Sequence, residues 1–470
     1  MRNLKIPLSA MIGLALLASP VLAQAPAKAP AKAAAQRPRA TAIPIKDYRL
    51  KNGLRVILSE DHSAPTYSIS VTYNVGSRDE RPGRTGFAHL FEHMMFQGSE
   101  NVGKGEHFIL VLNNGGGMNG TTNSDRTNYF QTLPANQLDL GLFLEADRMR
   151  SLVINQANLD NQRETVKEER RLGVDNQPYG KTFETLYETA YDNFAYKHST
   201  IGSMDDLNAA SVEDVAAFFK TYYAPNNATL VLVGDFDPKV AMQKIEKYFG
   251  NIPSQPPPPA PDMTEPPQKG ERRKTLDDPL AQLPRLDIAY KIPPGNTPDY
   301  YALSVLTSIL AGGESSRLYQ KLVKEKELVL QVAGGAGERR GTGLGQFIAI
   351  ARPGKDLAEI EKIIYEEIER VKNEPVADWE LDKVRLTIRR QRAQSLQSTL
   401  SRAIALGQFA VYYNEPNLIN TYEQKIARVT KDDLMRVART YYNAENRTVI
   451  TTLPKRAAPA GPPAKSGGSR

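Results

Sequence analysis

Residues 86–98 read GFAHLFEHMMFQG. The chain has only five histidines, and two of them, His89 and His93, stand four apart here, with Glu92 between them and large apolar residues around. On a helix, positions i and i+4 share one face, with Cβ atoms about 5–6 Å apart. Both imidazoles therefore reach a single cation, at zinc–nitrogen distances of about 2.0–2.1 Å. Glu92, three residues after His89, faces the same side, placed to take a proton from an attacking water. H-x-x-E-H is the inverted form of the zinc-protease motif. A bare histidine pair would say little; the added carboxylate and the apolar surroundings make a metal site the reading of choice. Zinc is favoured over other divalent ions by ligand type. It needs a third protein ligand and an open position. Glu100, Glu145, Asp147, Glu164, Glu168 and Glu169 are all available, and spacing alone does not choose among them.

Further along, the chain repeats itself. SVEDVAAFFKTYYAPNNAT at 211–229 aligns with TKDDLMRVARTYYNAENRT at 430–448. Asp214, Thr221, Tyr222, Tyr223, Asn227 and Thr229 recur as Asp433, Thr440, Tyr441, Tyr442, Asn446 and Thr448. Each copy reads as a helix running into Tyr-Tyr, a turn, and a β-rich strand (LVLVGD, then VITTLP). The starts match as well: SISVTYNVG at 68–76 and LDIAYKIPP at 286–294 both read as alternating strands, followed by a loop and an apolar helix. The offset of about 215–219 residues is that of a duplicated domain and too long for a solenoid repeat. In this alignment GFAHLFEHMMFQG falls opposite YALSVLTSILAGG at 301–313. Ser304, Thr307 and Ser308 replace His89, Glu92 and His93, so packing of that helix does not require the ionisable groups.

Composition sets the rest of the frame. The 470 residues suffice for two or three domains, and 40% hydrophobic with 24% charged content is that of a soluble globular chain. Part of the net charge of +7 comes from lysines and arginines in low-complexity ends. No stretch interleaves basic and aromatic residues as a nucleic-acid surface does, so no nucleic-acid partner is expected. Residues 1–23 read as a secretory signal: Arg2 and Lys5, an apolar run interrupted by Pro20, and small residues before Gln24. Export to a bacterial periplasm is expected, with no membrane span left after cleavage. With no cysteine in the chain, any metal must be held by histidine and carboxylate. Residues 24–41 form an Ala/Pro-rich linker. Residues 251–270 carry eight prolines, which suit neither sheet nor helix interior. The expected organisation is a metal-bearing domain at 42–252, a Pro-rich linker at 253–275, a homologous domain at 276–455 and a loose tail at 456–470. His62, His107 and His198 lack ligand-like spacing and read as surface or structural residues.

HLFEH, GGGMNGTTNSDRTNYFQTLP at 115–134 and QRETVKEERR at 162–171 together resemble the pitrilysin/insulinase family of inverted-motif zinc peptidases, and most of all its short two-domain branch that includes processing-peptidase-like proteins. The resemblance spans 42–455. It implies an α+β fold of two homologous domains, each a mainly antiparallel sheet covered by helices. It also implies Glu169, 76 positions after His93, as the third zinc ligand, with Gln162 standing where the family has an acidic residue. NGTTNSDRTNYFQT resembles the family strand on which an extended substrate pairs with the sheet edge. This places Asn119, Gly120 and Thr121 at the substrate, with pairing expected across 118–130; Gly120 replaces the family's usual alanine. Gly115-Gly116-Gly117 reads as a turn, since no Lys-Ser/Thr follows to make a phosphate loop.

SSRLYQKLVKEKELVLQV at 315–332 resembles the family segment whose arginine and tyrosine stabilise the reacting carbonyl. Val323 and Leu330 occupy those two positions, and neither side chain donates a hydrogen bond; the bland expectation is that they simply pack. Losing such a donor costs about 10²–10³ in rate. The expectation is therefore a zinc endopeptidase acting on unfolded peptides in an enclosed chamber, as the catalytic subunit of a heterodimer. A homologous partner subunit would supply the absent pair. The alternative is a catalytically weak peptide-binding or scaffold subunit.

Overall fold

The computed structural model describes residues 42–455. The expected signal segment, the linker at 24–41 and the tail at 456–470 lie outside the described residues. In the first sheet the strands are β1 (Lys46–Arg49), β2 (Arg55–Glu60), β3 (Thr66–Tyr73), β4 (Gly117–Thr122), β5 (Thr127–Pro134) and β6 (Ala228–Gly234), in the order β1-β2-β6-β3-β5-β4. In the second they are β7 (Arg272–Asp278), β8 (Arg285–Ile292), β9 (Val329–Ala336), β10 (Gly343–Ala351) and β11 (Arg447–Pro454), in the order β7-β11-β8-β10-β9. Without β1 the two orders are the same. Each sheet is antiparallel except for one parallel pair, β2 with β6 and β7 with β11. The strand β7 starts at Arg272, inside the stretch read as linker, five residues after Pro267, the last proline of that tract, where backbone N–H groups can again join a ladder.

The recurring residues do the same work in both halves. Tyr223 packs on Tyr73 at 4.4 Å between ring centroids, and Tyr442 packs on Tyr290 at 4.8 Å. The Asn227 side-chain amide donates to the Tyr222 carbonyl at 2.8 Å, and Asn446 does so to Tyr441 at the same distance. Ser211 and Thr430 each cap the helix that ends in Tyr-Tyr, accepting from the amides of Asp214 and Asp433.

Five helices of the first half are used below: α1 (Phe87–Met94), α2 (Glu106–Asn113), α3 (Leu138–Arg150), α4 (Gln156–Arg170) and α5 (Gly180–Ala190). Helix α1 carries Leu90, Phe91 and Met94 into the core of the first sheet, which leaves His89 and His93 on its other side. The helix Pro298–Ala311 takes the corresponding place in the second half, and Asp378–Ser395 follows the order of α4.

The alternation in SISVTYNVG predicts one dry and one wet face, yet β3 is buried on both. The helix Thr399–Tyr413, from the second half, lies across β3 and β6. Ser68 shares hydrogen bonds with Thr132 at 2.7 Å and Thr399 at 2.9 Å. A Cβ on Gly407 would sit 2.5 Å from Thr72 Oγ1, so glycine is what lets this helix come so close. Ile57, Val231 and Val233 meet Leu406 and Phe409 there, each side chain contributing about 1.5–3 kcal/mol on leaving water. Reciprocally, α5 lies on the second sheet, with Leu186 and Ala190 against Ala289, Leu344 and Ile450. Each half thus covers the other's second face, which a pattern read one strand at a time does not reveal. Among the described residues no helix is long and apolar enough to cross a membrane.

Candidate metal centre

Helix α1 begins abruptly. Gly86 has φ of +84°, and a Cβ there would lie 2.6 Å from the Ile201 carbonyl oxygen; only glycine fits this turn. The orphan N–H groups of the first turn are met by a buried carboxylate. Glu80 accepts from Gly86 N–H at 2.9 Å, from Ala88 N–H at 2.8 Å and from His198 Nε2 at 2.9 Å. Burial lifts the Glu80 carboxyl above its ordinary range, against the pull of His198. Burial opposes charge on His198 too, but the hydrogen bond and charge of Glu80 outweigh it and raise its pKa.

Helix α4 is capped by Asn155 and anchored by buried Leu159 and Val166. At its end Arg170 is tied to Glu184 at 2.6 and 3.0 Å and to the Gly202 carbonyl at 2.6 Å. The helix then widens into a π-turn over Arg171–Asp175. With Val166 and Arg170 turned inward, Glu169 is left facing α1.

The three expected ligands converge. Glu169 Oε2 lies 3.5 Å from His89 Nε2 and 3.5 Å from His93 Nε2, and one donor atom from each of the three residues falls within 4.8 Å of the others. Tetrahedral ligands at about 2.0–2.1 Å from zinc are about 3.3–3.4 Å apart, so the donor set fits the ion with little adjustment. The other candidate carboxylates are engaged elsewhere. Glu168 pairs with Arg171, Glu164 with Lys167, Glu100 with Arg150 and Glu145 with Arg148, while Asp147 accepts from Ser99 and Asn101. The His93 Nδ1–H donates to Gln162 Oε1 at 3.3 Å, which leaves Nε2 as the free lone pair. The acceptor is thus retained where the family's acidic residue is replaced. Burial, and then the neighbouring His93, push His89 down to about 4, so its imidazole is neutral at ordinary pH.

Glu92 faces the strand β4. Thr122 Oγ1 donates to Glu92 Oε2 at 2.6 Å, and a Cβ on Gly120 would lie 3.0 Å from Glu92 Oε1. Burial raises the Glu92 carboxyl, opposed by the Thr122 hydrogen bond. Strand β4 is the edge of its sheet. The expected pairing across 118–130 narrows to this strand, because β5 lies between β3 and β4 and its ladder groups are taken on both sides. The turn bond from Asn123 N–H to the Arg126 carbonyl, 3.0 Å, sets the alternation. Amide groups of Met118, Gly120 and Thr122 then point away from β5. Gly120 N–H is met by the Asn119 side-chain oxygen at 2.8 Å, while Thr121 Oγ1 donates to Asn128 at 2.6 Å. Asn119 and Gly120 therefore lie on the open edge beside Glu92, and the Thr121 hydroxyl is spent within the hairpin.

Val323 is half-buried against the second core, as expected, but Leu330 is not packed away. It stands 53% exposed on β9, because β9 is an edge strand and this side chain points outward. His62 pairs with Asp235 at 2.6 Å on the surface, and His107 is buried beside Phe96. The sequence reading passed over Thr122 and Glu80 as parts of the site. Thr122 sits in the quoted NGTT run, two positions along the strand from Gly120, and that spacing was the available signal. Glu80 is joined to α1 through an irregular loop, which has no periodicity to read.

A family model described as "Insulinase (Peptidase family M16)" matches residues 55–204, and one described as "Peptidase M16 inactive domain" matches residues 209–388. A zinc protease of Helicobacter pylori, PqqE, is 31% identical over 410 residues, which is 86% of this chain and 92% of that protein. The mitochondrial-processing peptidase subunit beta of Lentinula edodes is 23% identical, covering 83% of this chain and 85% of that one. The crystal structure of a protease from Helicobacter pylori superposes with a TM-score of 0.84 at 30% identity, over 88% of this chain and all of that one.

Proposed function

The chain belongs to the insulinase family, peptidase family M16, and on that premise we propose that it is a zinc-dependent endopeptidase of unfolded peptides. The observation that carries this reading is the convergence of His89, His93 and Glu169 beside a buried Glu92 that faces an open strand edge. His89, His93 and Glu169 would hold the ion. Zinc, when bound, polarises the scissile carbonyl and makes a water easier to deprotonate. The chain's own groups do the rest. An extended peptide pairs with the outward amide groups of Met118, Gly120 and Thr122, displacing the Asn119 side chain from Gly120 N–H. Glu92 takes a proton from the attacking water and returns it to the departing amine. Thr122 keeps that carboxylate aimed at the edge. The products are two shorter peptides.

Val323 and Leu330 supply no hydrogen-bond donor, so we propose that a homologous partner subunit provides one. A relative named as a peptidase subunit is in keeping with such a division. The exported signal read in residues 1–23 supports a periplasmic location. The test uses the full chain, alone and co-purified with a homologous chain encoded beside it. The reading expects one zinc per chain and cleavage of an unfolded quenched peptide that rises by at least tenfold with the partner. Full activity from the lone chain would refute the division of labour, and bound zinc without cleavage by either preparation would refute the peptidase.

A further inference from the structure

The second half keeps the helix of the metal site without its donors. Ser304 and Ser308 on Pro298–Ala311 stand at the positions of His89 and His93, and they line a cavity of about 550 Å³ together with Glu338, Arg392, Gln408 and Tyr422. That volume is in the range of sites built for small ligands.

Two groups of opposite charge in its wall, Glu338 and Arg392, make no ion pair. The hydrogen-bond partner of Glu338 is the Tyr413 hydroxyl, which donates at 2.6 Å; no lysine or arginine among the described residues lies within ion-pair distance of it. Arg392 lies over the Tyr422 ring at 4.4 Å and donates from Nη2 to the Ile419 carbonyl at 3.0 Å. Its Nε is buried without a partner, and no carboxylate among the described residues pairs with it. The two opposite charges line one cavity and do not meet each other. Burial pushes Glu338 up, against the Tyr413 hydrogen bond and the charge of Arg392, and pushes Arg392 down, against the charges around it; in each, lost water outweighs the partners gained. A ligand with an ammonium at one end and a carboxylate at the other satisfies both at once. The serine hydroxyls and the Gln408 amide provide the donors and acceptors that a peptide bond between those ends needs.

We propose that the cavity of the second half is a separate ligand site that holds a short zwitterionic peptide, with the carboxylate on Arg392 and the ammonium toward Glu338. Binding here needs no metal and breaks no bond. It goes beyond the peptidase reading and stands without it.

The test is calorimetric titration of the full chain with trialanine, in the Glu92→Gln background so that the peptide stays intact at either site. One saturable site is expected. N-acetylation or C-amidation of the peptide should each weaken it by at least tenfold, the worth of a lost charge-assisted hydrogen bond. Glu338→Gln and Arg392→Gln should weaken it as much, with Arg392→Lys falling between, all with unchanged circular dichroism. Removal of zinc should leave the affinity unchanged. Equal binding of capped peptides, binding by the folded charge variants within twofold of their parent, or no saturation in the millimolar range would each overturn the proposal. Dependence on zinc would do so too, by placing the peptide at the metal centre instead.

Discussion

The start of α1 is where a single substitution should be felt most clearly. Glu80 is buried and meets three donors: Gly86 N–H, Ala88 N–H and His198 Nε2, at 2.8–2.9 Å. Glu80→Gln keeps the shape and removes the charge. Its oxygen can serve Gly86 and His198 together, but its NH₂ then faces the Ala88 N–H, donor against donor. One buried charge-assisted hydrogen bond is lost, worth about 1.5–3 kcal/mol. Loss of negative charge at the helix N-terminus adds about 0.3–1 kcal/mol. The sum, about 2–4 kcal/mol, should appear in urea unfolding at fixed zinc concentration. Amide exchange at Gly86 and Ala88 should quicken with it. His198→Ala strips one partner from the same carboxylate, so the double variant should cost less than the two singles added, by about 0.5–3 kcal/mol. A Glu80→Gln protein within about 0.5 kcal/mol of the parent, the scatter of an ordinary surface change, would refute this account of how the metal-bearing helix is held.

Other outcomes follow from the same geometry. Glu92→Gln should retain zinc and abolish cleavage, measured by metal analysis and peptide turnover on one sample; full activity would remove Glu92 from the role of base. Thr122→Val deletes the 2.6 Å hydrogen bond to Glu92 and should lower kcat by about tenfold with KM little changed, an interaction worth about 1–1.5 kcal/mol. Gln162→Glu gives His93 Nδ1 a charged acceptor and should tighten zinc binding by about tenfold, read in a chelator competition. Arg402, from the helix Thr399–Tyr413, and Ser63 hold the Asp61 carboxyl down at about 2. A carboxyl lowered on folding stabilises above its unfolded value, and that stabilisation is lost as pH falls toward the folded one. The parent should therefore lose stability between about pH 4 and pH 2 more steeply than Asp61→Asn; equal slopes would show that the pair contributes nothing.

Much of this molecule was legible before any coordinates, for reasons that differ from part to part. The histidine pair was readable because α1 is one regular helix, where spacing maps onto a face. The duplication was readable because Asp214, Tyr223 and Asn227 and their copies do capping and packing work that few other residues can do. Glu169 was another matter. It lies on a different helix, and only the family resemblance separated it from Glu168. The structure supplies the physical reason, since Glu168 is taken by Arg171 while Val166 and Arg170 turn the helix so that the next carboxylate faces α1. The buried hydroxyl face of β3 could not be read, because what covers it comes from some 330 residues away. The same holds for Leu330: a strand's pattern does not say whether the strand ends at a sheet edge.

The most direct test of the metal centre is anomalous diffraction at the zinc edge from crystals of the full chain grown with zinc. A single peak is expected within about 2.0–2.2 Å of His89 Nε2, His93 Nε2 and one oxygen of Glu169, with Glu92 near but not bound. A protein that takes up no zinc at this position, or binds it elsewhere while Glu169 turns to solvent, would contradict the account.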